Sequence, residues 1–259
     1  MKVKDIADII ERFAPLATAE GYDNTGLMLG DFLADVKGVL ISLDLTTGAV
    51  KKATAEGCNL IITHHPAIFK PLKNLNLNGA YAHLFRDAFI EGINIYSAHT
   101  NVDAAKDGIS FETAGRIGLK NVRAFTETPC MGVYGEYDGT LEGLAAEVSD
   151  RLGDPTVTYA GEPDMRVKTV VLCGGAGGND REFVGEALSR ADVLISAEFK
   201  HSFFVDAAEL KKGAVQFSHY AGEICFLDII YKLLKPLCGK LELFKYNPGA
   251  PCRVPRRTK

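Results

Sequence analysis

Apolar positions along the chain alternate between two periods. Ile6, Ile9, Ile10 and Phe13 recur at helical spacing before Pro15, so the chain opens on an amphipathic helix. A turn-rich stretch over 22–30 then approaches a strand. Beyond it the pattern predicts a strand over 39–43 ending at Asp44, a helix over 46–56 stopped by Gly57, and a strand over 60–63. A helix over 81–91, ended by Gly92, leads to a third strand over 93–97. Apolar strands alternating with helices indicate parallel β-α-β units covered on both faces. Residues 122–137 alternate and carry turn signals, which predicts an antiparallel hairpin or edge pair. A helix over 141–152 follows, and the β-α-β pattern then resumes. Its elements are strand 169–173, helix 181–190, strand 193–196, helix 203–211, strand 214–217, helix 221–234 and strand 241–245.

The two halves echo each other in part. Three strands of the first half end in LDLT, THHP and SAHTNVD, and three of the second in CGGAGG, SAEFKHS and FSHYAGE. Each half thus carries polar groups to the carboxyl ends of its strands, where open α/β sheets bind ligands. The third strand ends match best, since His99-x-x-x-Asp103 and His219-x-x-x-Glu223 share spacing and chemistry. The expected architecture is α/β: two linked α/β lobes with partial internal similarity, over 1–125 and 126–259, facing a common cleft.

Composition narrows the function classes. With 47% hydrophobic and 24% charged residues, the 259-residue chain matches a globular protein with a large core. A net charge of −4 leaves no electrostatic footprint for nucleic acid or an anionic membrane. Arg253, Arg256, Arg257 and Lys259 lie among prolines and read as a solvated tail. The six cysteines (58, 130, 173, 225, 238 and 252) are dispersed, with no Cys-x-x-Cys pair, which suits reduced thiols in a cytosolic protein. The charged opening helix is not a signal peptide, and no run of about 18 apolar residues spans a membrane. A cytoplasmic protein is expected.

The six histidines frame the candidate chemistry. In THHPAIF, His64 and His65 end a buried strand and Pro66 turns the chain out of the sheet. Adjacent strand residues ordinarily point to opposite faces, leaving one imidazole in a core and one in solvent. A distorted strand end instead turns both toward one space, and imidazoles are favoured ligands of Zn, Fe, Ni and Cu. His219 and Glu223 share a helix face if 219–223 is helical; the bland reading is a carboxylate at a helix N-terminus. Asp103 follows a polar loop and is either a turn residue or a ligand. Taken together these donors exceed one closed tetrahedral site and suit two metals with open positions, able to bind hydroxide and stabilise an oxyanion.

Across most of its length the chain resembles the dinuclear-metal proteins related to NGG-interacting factor three, also described as homologues of a type 2 GTP cyclohydrolase I. The motifs that carry this are Tyr22-Asp23-Asn24-Thr25-Gly26-Leu27, Leu43-Asp44-Leu45-Thr46, Thr63-His64-His65-Pro66 with Ile68-Phe69-Lys70-Pro71-Leu72-Lys73, Ala98-His99-Thr100-Asn101-Val102-Asp103, Gly174-Gly175-Ala176-Gly177, and His219-Tyr220-Ala221 with Glu223. The resemblance implies two divalent ions per chain (Zn, Fe, Mn or Ni) on His64, His65, Asp103, His219 and Glu223, with Glu223 bridging. It implies two linked α/β lobes with the metal site in the cleft, and a toroidal homo-hexamer. The chain departs from the family at 196–202, where Ser202 takes a usual histidine position and His201 stands one place earlier, and at Gly222, where Ser or Thr is common.

Other polar elements are read by chemistry. Gly174–Gly178 lacks the spacing of nucleotide-binding fingerprints and is either a tight strand-to-helix turn or an anion cradle. His99 is expected to orient Asp103 or to add a ligand, and His201, with Lys70, Lys73 and Lys200, to meet an anionic substrate. The leading expectation is a metal-dependent hydrolase acting on a small anionic, nucleotide or phosphoester-like substrate. The alternative is a non-catalytic metal-binding or partner-binding hexamer, a scaffold or sensor.

Overall fold

A computed structural model describes residues 1–76, 79, 81–126 and 131–255. Cys130 and the basic residues Arg256, Arg257 and Lys259 lie outside the described residues. The chain divides into two compact units, Met1–Ala105 with Phe226–Gly249, and Lys106–Cys225 with Ala250–Lys259.

The first unit begins with α1 (Val3–Phe13), whose buried Val3, Ile6, Ile9 and Ile10 form the expected apolar stripe. Then come β1 (Gly26–Leu29), β2 (Gly38–Ser42), α2 (Thr47–Ala55), β3 (Leu60–Thr63), α3 (Ala82–Ile90), β4 (Asn94–Ser97) and the short α4 (Thr100–Ala104). The chain returns to this unit at its end with α10 (Phe226–Leu234) and β11 (Glu242–Tyr246). Sheet order is β1-β4-β3-β2-β11, parallel except for β1. β2, β3 and β4 are buried at every position, as strands covered on both faces should be. Each buried Ile or Leu there contributes roughly 1.5–3 kcal/mol.

The second unit holds α5 (Ile109–Arg116), β5 (Lys120–Ala124), β6 (Val133–Thr140), α6 (Leu141–Leu152), β7 (Thr158–Ala160), β8 (Arg166–Leu172), α7 (Arg181–Arg190), β9 (Val193–Ala197), α8 (His201–Glu209), β10 (Gly213–Phe217) and α9 (His219–Glu223). Its sheet runs β5-β6-β8-β9-β10-β7. β8, β9 and β10 are parallel, and β5–β6 form the expected antiparallel edge pair. Alternate strand residues fill two cores, Val170, Leu172, Val193 and Ile195 on one face, Val171 and Leu194 on the other.

Both units are α/β, but their limits differ from a division at residue 125. β11 hydrogen-bonds in parallel with β2, and α10 packs beside α1 and β2, so the last elements complete the first sheet. The helix expected over 221–234 is two helices, interrupted at Ile224 and Cys225. The five described cysteines are free thiols. Burial pushes Cys58 up to about 11 and Cys225 up to about 12, which keeps both protonated and unreactive. Among the described residues no helix is long and apolar enough to cross a membrane.

Candidate metal centre

In the first unit, Ser42 pairs with Thr63 and Thr63 with Ser97, so β2, β3 and β4 end level. Whatever follows each strand therefore emerges at one edge of the sheet. The residues that follow are Asp44, the His64–His65 pair, and His99.

How two neighbours come to share one space is visible in the backbone. The amides of His64 and His65 both donate to the Leu43 carbonyl, at 3.2 and 3.0 Å. Strand alternation is thereby broken at this point. Thr63 Oγ1 donates to the His65 carbonyl at 2.9 Å, so the 2.8 Å contact with Ser97 Oγ has Ser97 as donor. The two imidazole centroids stand 5.0 Å apart, and His99 lies 5.0 Å from His64 and 5.7 Å from His65. One ligand atom from each of His64, His65 and His99 can be drawn from a group within 4.8 Å. Asp103, one turn into α4, places Oδ1 3.8 Å from His64 Nε2.

Each ring is aimed by an acceptor at Nδ1. His64 Nδ1 donates to the Ala98 carbonyl at 3.0 Å, His65 Nδ1 to Asp44 Oδ1 at 2.8 Å, and His99 Nδ1 to Asp23 Oδ1 at 2.8 Å. Carbonyls and carboxylates only accept, so Nδ1 carries the proton and a neutral ring presents its lone pair at Nε2. Asp23 is buried, which pushes its pKa up, yet hydrogen bonds from His99 and Thr100 outweigh this and hold it at about 2. Asn24 of the same motif donates to the Ile68 carbonyl, tying down the loop after Pro66.

In the second unit, Ala197 pairs with Phe217, so β9 and β10 also end level. Glu198 directly follows β9, and His219 follows β10 after the intervening Ser218. Glu198 has φ +56°, a left-handed conformation, and its Oε1 accepts from His219 Nδ1 at 2.8 Å. Ser218 caps α9, accepting from the Ala221 amide at 3.2 Å. The Ser218 amide is itself held at 2.6 Å by buried Asp154. Burial raises the Asp154 pKa, but the bonds from Thr156 and Ser218 prevail and keep it below the ordinary value. Within α9 the i, i+4 spacing sets His219 Nε2 2.9 Å from Glu223 Oε1. Glu223 is only 1% exposed.

The glycine loop seats this carboxylate. A Cβ on Gly175 would stand 2.5 Å from Glu223 Oε1, so only glycine permits the approach. Two of the loop's amides are engaged by hydroxyls, Gly174 by Ser110 Oγ and Gly178 by Ser196 Oγ. The structure thus favours the close-packed turn over the anion cradle. At the departure Gly222, a Cβ would come within 2.2 Å of Phe217, which accounts for glycine there. His201 and Ser202 are exposed on the first turn of α8, and neither belongs to a donor group among the described residues.

Of the residues singled out from sequence, His64, His65, His99 and Asp103 gather in the first unit, and His219 with Glu223 in the second. Sequence reasoning missed the orienting carboxylates Asp23, Asp44 and Glu198. Asp44 and Glu198 each follow a strand, and an acidic residue at a strand end beside a histidine-bearing one was the signal available for them, whereas Asp23 precedes β1.

Fold and side chains define an α/β protein in which parallel strand ends carry oriented histidines and carboxylates suited to divalent metal. The family model for Duf34/NIF3 (NGG1p interacting factor 3) matches residues 1–247, and the chain belongs to this family. It is 30% identical over 252 residues to a GTP cyclohydrolase 1 type 2 homolog of Clostridium acetobutylicum, covering 94% of this chain and 93% of that one. A homolog of the same name from Methanocaldococcus jannaschii is 32% identical over 228 residues, covering 86% and 91%. Among solved structures, a Staphylococcus aureus hypothetical protein superposes with a TM-score of 0.89 at 26% identity, covering 98% of this chain and 99% of that one. Reduced HcgD from Methanocaldococcus jannaschii gives 0.81 at 29% identity, covering 95% and 97%.

Proposed function

We propose that His64, His65, Asp103, His219 and Glu223 are the ligands of a dinuclear metal centre. On this reading the protein is a metal-dependent hydrolase of a nucleotide or phosphoester-like substrate. The observation that carries it is the common pose of four histidines, each with Nδ1–H directed into an oxygen acceptor. That arrangement is how proteins orient imidazole ligands. Imidazoles and carboxylates without thiolate suit Zn, Fe, Mn or Ni, and two carboxylates disfavour a purely structural zinc site. Bound there, divalent ions would supply Lewis acidity and activation of water at neutral pH.

The chain's own groups hold the rest in place. Asp44, Asp23 and Glu198 fix the tautomers of His65, His99 and His219. Buried Glu223 is the bridging carboxylate of this proposal. The name borne by the relatives favours a nucleotide, and a homo-hexamer in the cytoplasm is the assembly that accompanies the reading.

Elemental analysis of protein purified without added metal should find two ions per chain; well under two counts against a dinuclear centre. Protein reconstituted with Mn, Fe or Zn should turn over a member of a panel of nucleotides and cyclic and linear phosphoesters. That turnover should vanish in His65→Ala. Full metal loading with no turnover anywhere in the panel would favour the scaffold or sensor instead.

A further inference from the structure

We infer that a cavity beside His65 is a subsite for a flat, uncharged ring bearing N–H donors, the non-reacting end of the substrate. The inference rests on the metal reading above and adds to it where the substrate's ring lies and what that ring must carry. The cavity lies wholly within the first unit and has a volume of about 250 Å³. Sites that enclose a whole drug-sized ligand run to about 300–1,000 Å³. By size, then, it takes part of a molecule.

Its walls select the part. Phe69, Tyr81 and Phe85 supply aromatic surface, and Leu45 and Leu84 add aliphatic surface. Phe85 is buried, whereas Tyr81 and Phe69 are 72% and 43% exposed, leaving two large aromatic rings at the rim for an occupant to cover. Stacking on such faces is the usual means of holding a heteroaromatic ring without reading its identity. Among the described residues the lining contains no lysine or arginine, and its one carboxylate is Asp44. The described lining offers an anionic group no countercharge, which assigns the charged end of the substrate elsewhere. A carboxylate offers about four lone-pair sites, so beside its bond from His65 Nδ1–H Asp44 can accept from an amino group or ring N–H of an occupant.

Position joins the cavity to the chemistry. His65 lines it and is also a ligand in the reading above, so a ring seated here places its substituent beside the metal centre. The wall is held in advance of binding. The Phe69 ring meets His99 edge-on at 6.1 Å and Tyr22 at 6.4 Å, and Asn24 pins the adjacent Ile68 carbonyl. A wall fixed beforehand spares the ordering cost of binding.

The test is calorimetric titration of the metal-loaded full chain with adenosine, purine riboside and inorganic phosphate. Adenosine should bind about tenfold tighter than purine riboside, which lacks the amino group. Tyr81→Ala should weaken adenosine about tenfold, with phosphate affinity and metal content unchanged, and Phe69→Ala should act in the same direction. The inference is overturned if adenosine fails to bind at millimolar concentration, or if both variants bind it as the wild type does. Equal affinity for adenosine and purine riboside would remove Asp44 from recognition. A low metal content with adenosine binding still lost in Tyr81→Ala would sink the metal reading and leave the subsite standing.

Discussion

The two units solve one problem with the same geometry and different residues. In each, adjacent parallel strands end level, and a carboxylate beyond one strand orients a histidine beyond the next. Asp44 after β2 serves His65 after β3, and Glu198 after β9 serves His219 after β10, both at 2.8 Å. Level strand ends are thus enough to place a donor and its orienting partner, whatever the loop carries. The units differ at their second carboxylate. Asp103 and Glu223 each lie four residues beyond a histidine on a short helix, yet Glu223 faces Nε2 of that histidine, His219, at 2.9 Å while Asp103 Oδ1 stands 3.8 Å from Nε2 of His64. Equal spacing along the chain therefore does not give equal pairing. The cap decides: His99 is itself the residue before α4, whereas Ser218 caps α9 and leaves His219 inside it.

The comparison breaks most severely at Glu223. Glu223→Ala removes a buried proposed ligand and should reduce the metal content of purified protein well below that of the wild type. Ser202→Ala, exposed on α8, should leave it unchanged. Equal retention in the two, measured by elemental analysis, would end the bridging role. Next in size are the orienting pairs. Asp44→Asn and Glu198→Gln should each weaken metal binding about 10–100-fold in a chelator competition, the range typical of partners that orient a ligand. A loss in only one of them would show that the parallel construction does not imply parallel function.

Much of this was legible in the sequence because local pattern carried it. The strand at 60–63 and the helices at 141–152 and 181–190 were read to the residue, since apolar runs, turn residues and caps mark them. α5 was not, for its buried face is built partly of Ser110, Thr113 and Ala114 and lacks a strong apolar stripe. The place of β11 was hidden for another reason. Its apolar pattern says strand, but pairing with β2 is a contact across the whole chain that composition does not encode. Ligand candidates could be read from residue type, while Asp23 could not, because it reaches His99 from 76 residues away.

Acid tests whether each unit relies on a carboxylate below its ordinary pKa. Asp23 sits at about 2, below the ordinary 3.8, with a fully buried side chain. Its folded pKa is lowered, so its contribution is complete above pH 4 and is lost as pH falls toward 2. At 1.36 kcal/mol per unit the contribution is about 2 kcal/mol. Urea unfolding of metal-free protein should find Asp23→Asn less stable than the wild type by roughly that amount at pH 7, with the gap closing near pH 2. Asp154→Asn should show the same sign in the second unit. A gap that persists unchanged at pH 2 would mean that these residues act through shape and not through charge.

The smallest effect separates the two orienting carboxylates by sign. Glu198 is held at φ +56°, and Asp44 is not among the described residues with positive φ. A left-handed conformation costs a non-glycine residue about 1–2 kcal/mol, and Glu198→Gly removes that cost. Against the gain stands about 0.4–1 kcal/mol for the freer unfolded chain. The lost bond to His219 subtracts little, because the Glu198 side chain is 51% exposed. Metal-free Glu198→Gly should therefore melt about 2 °C above the wild type while binding metal more weakly. Asp44→Gly has no strain to release and should lose both stability and affinity. If Glu198→Gly also melts lower, the left-handed turn at β9 is not strained, and the second unit bears no added backbone cost for aiming His219.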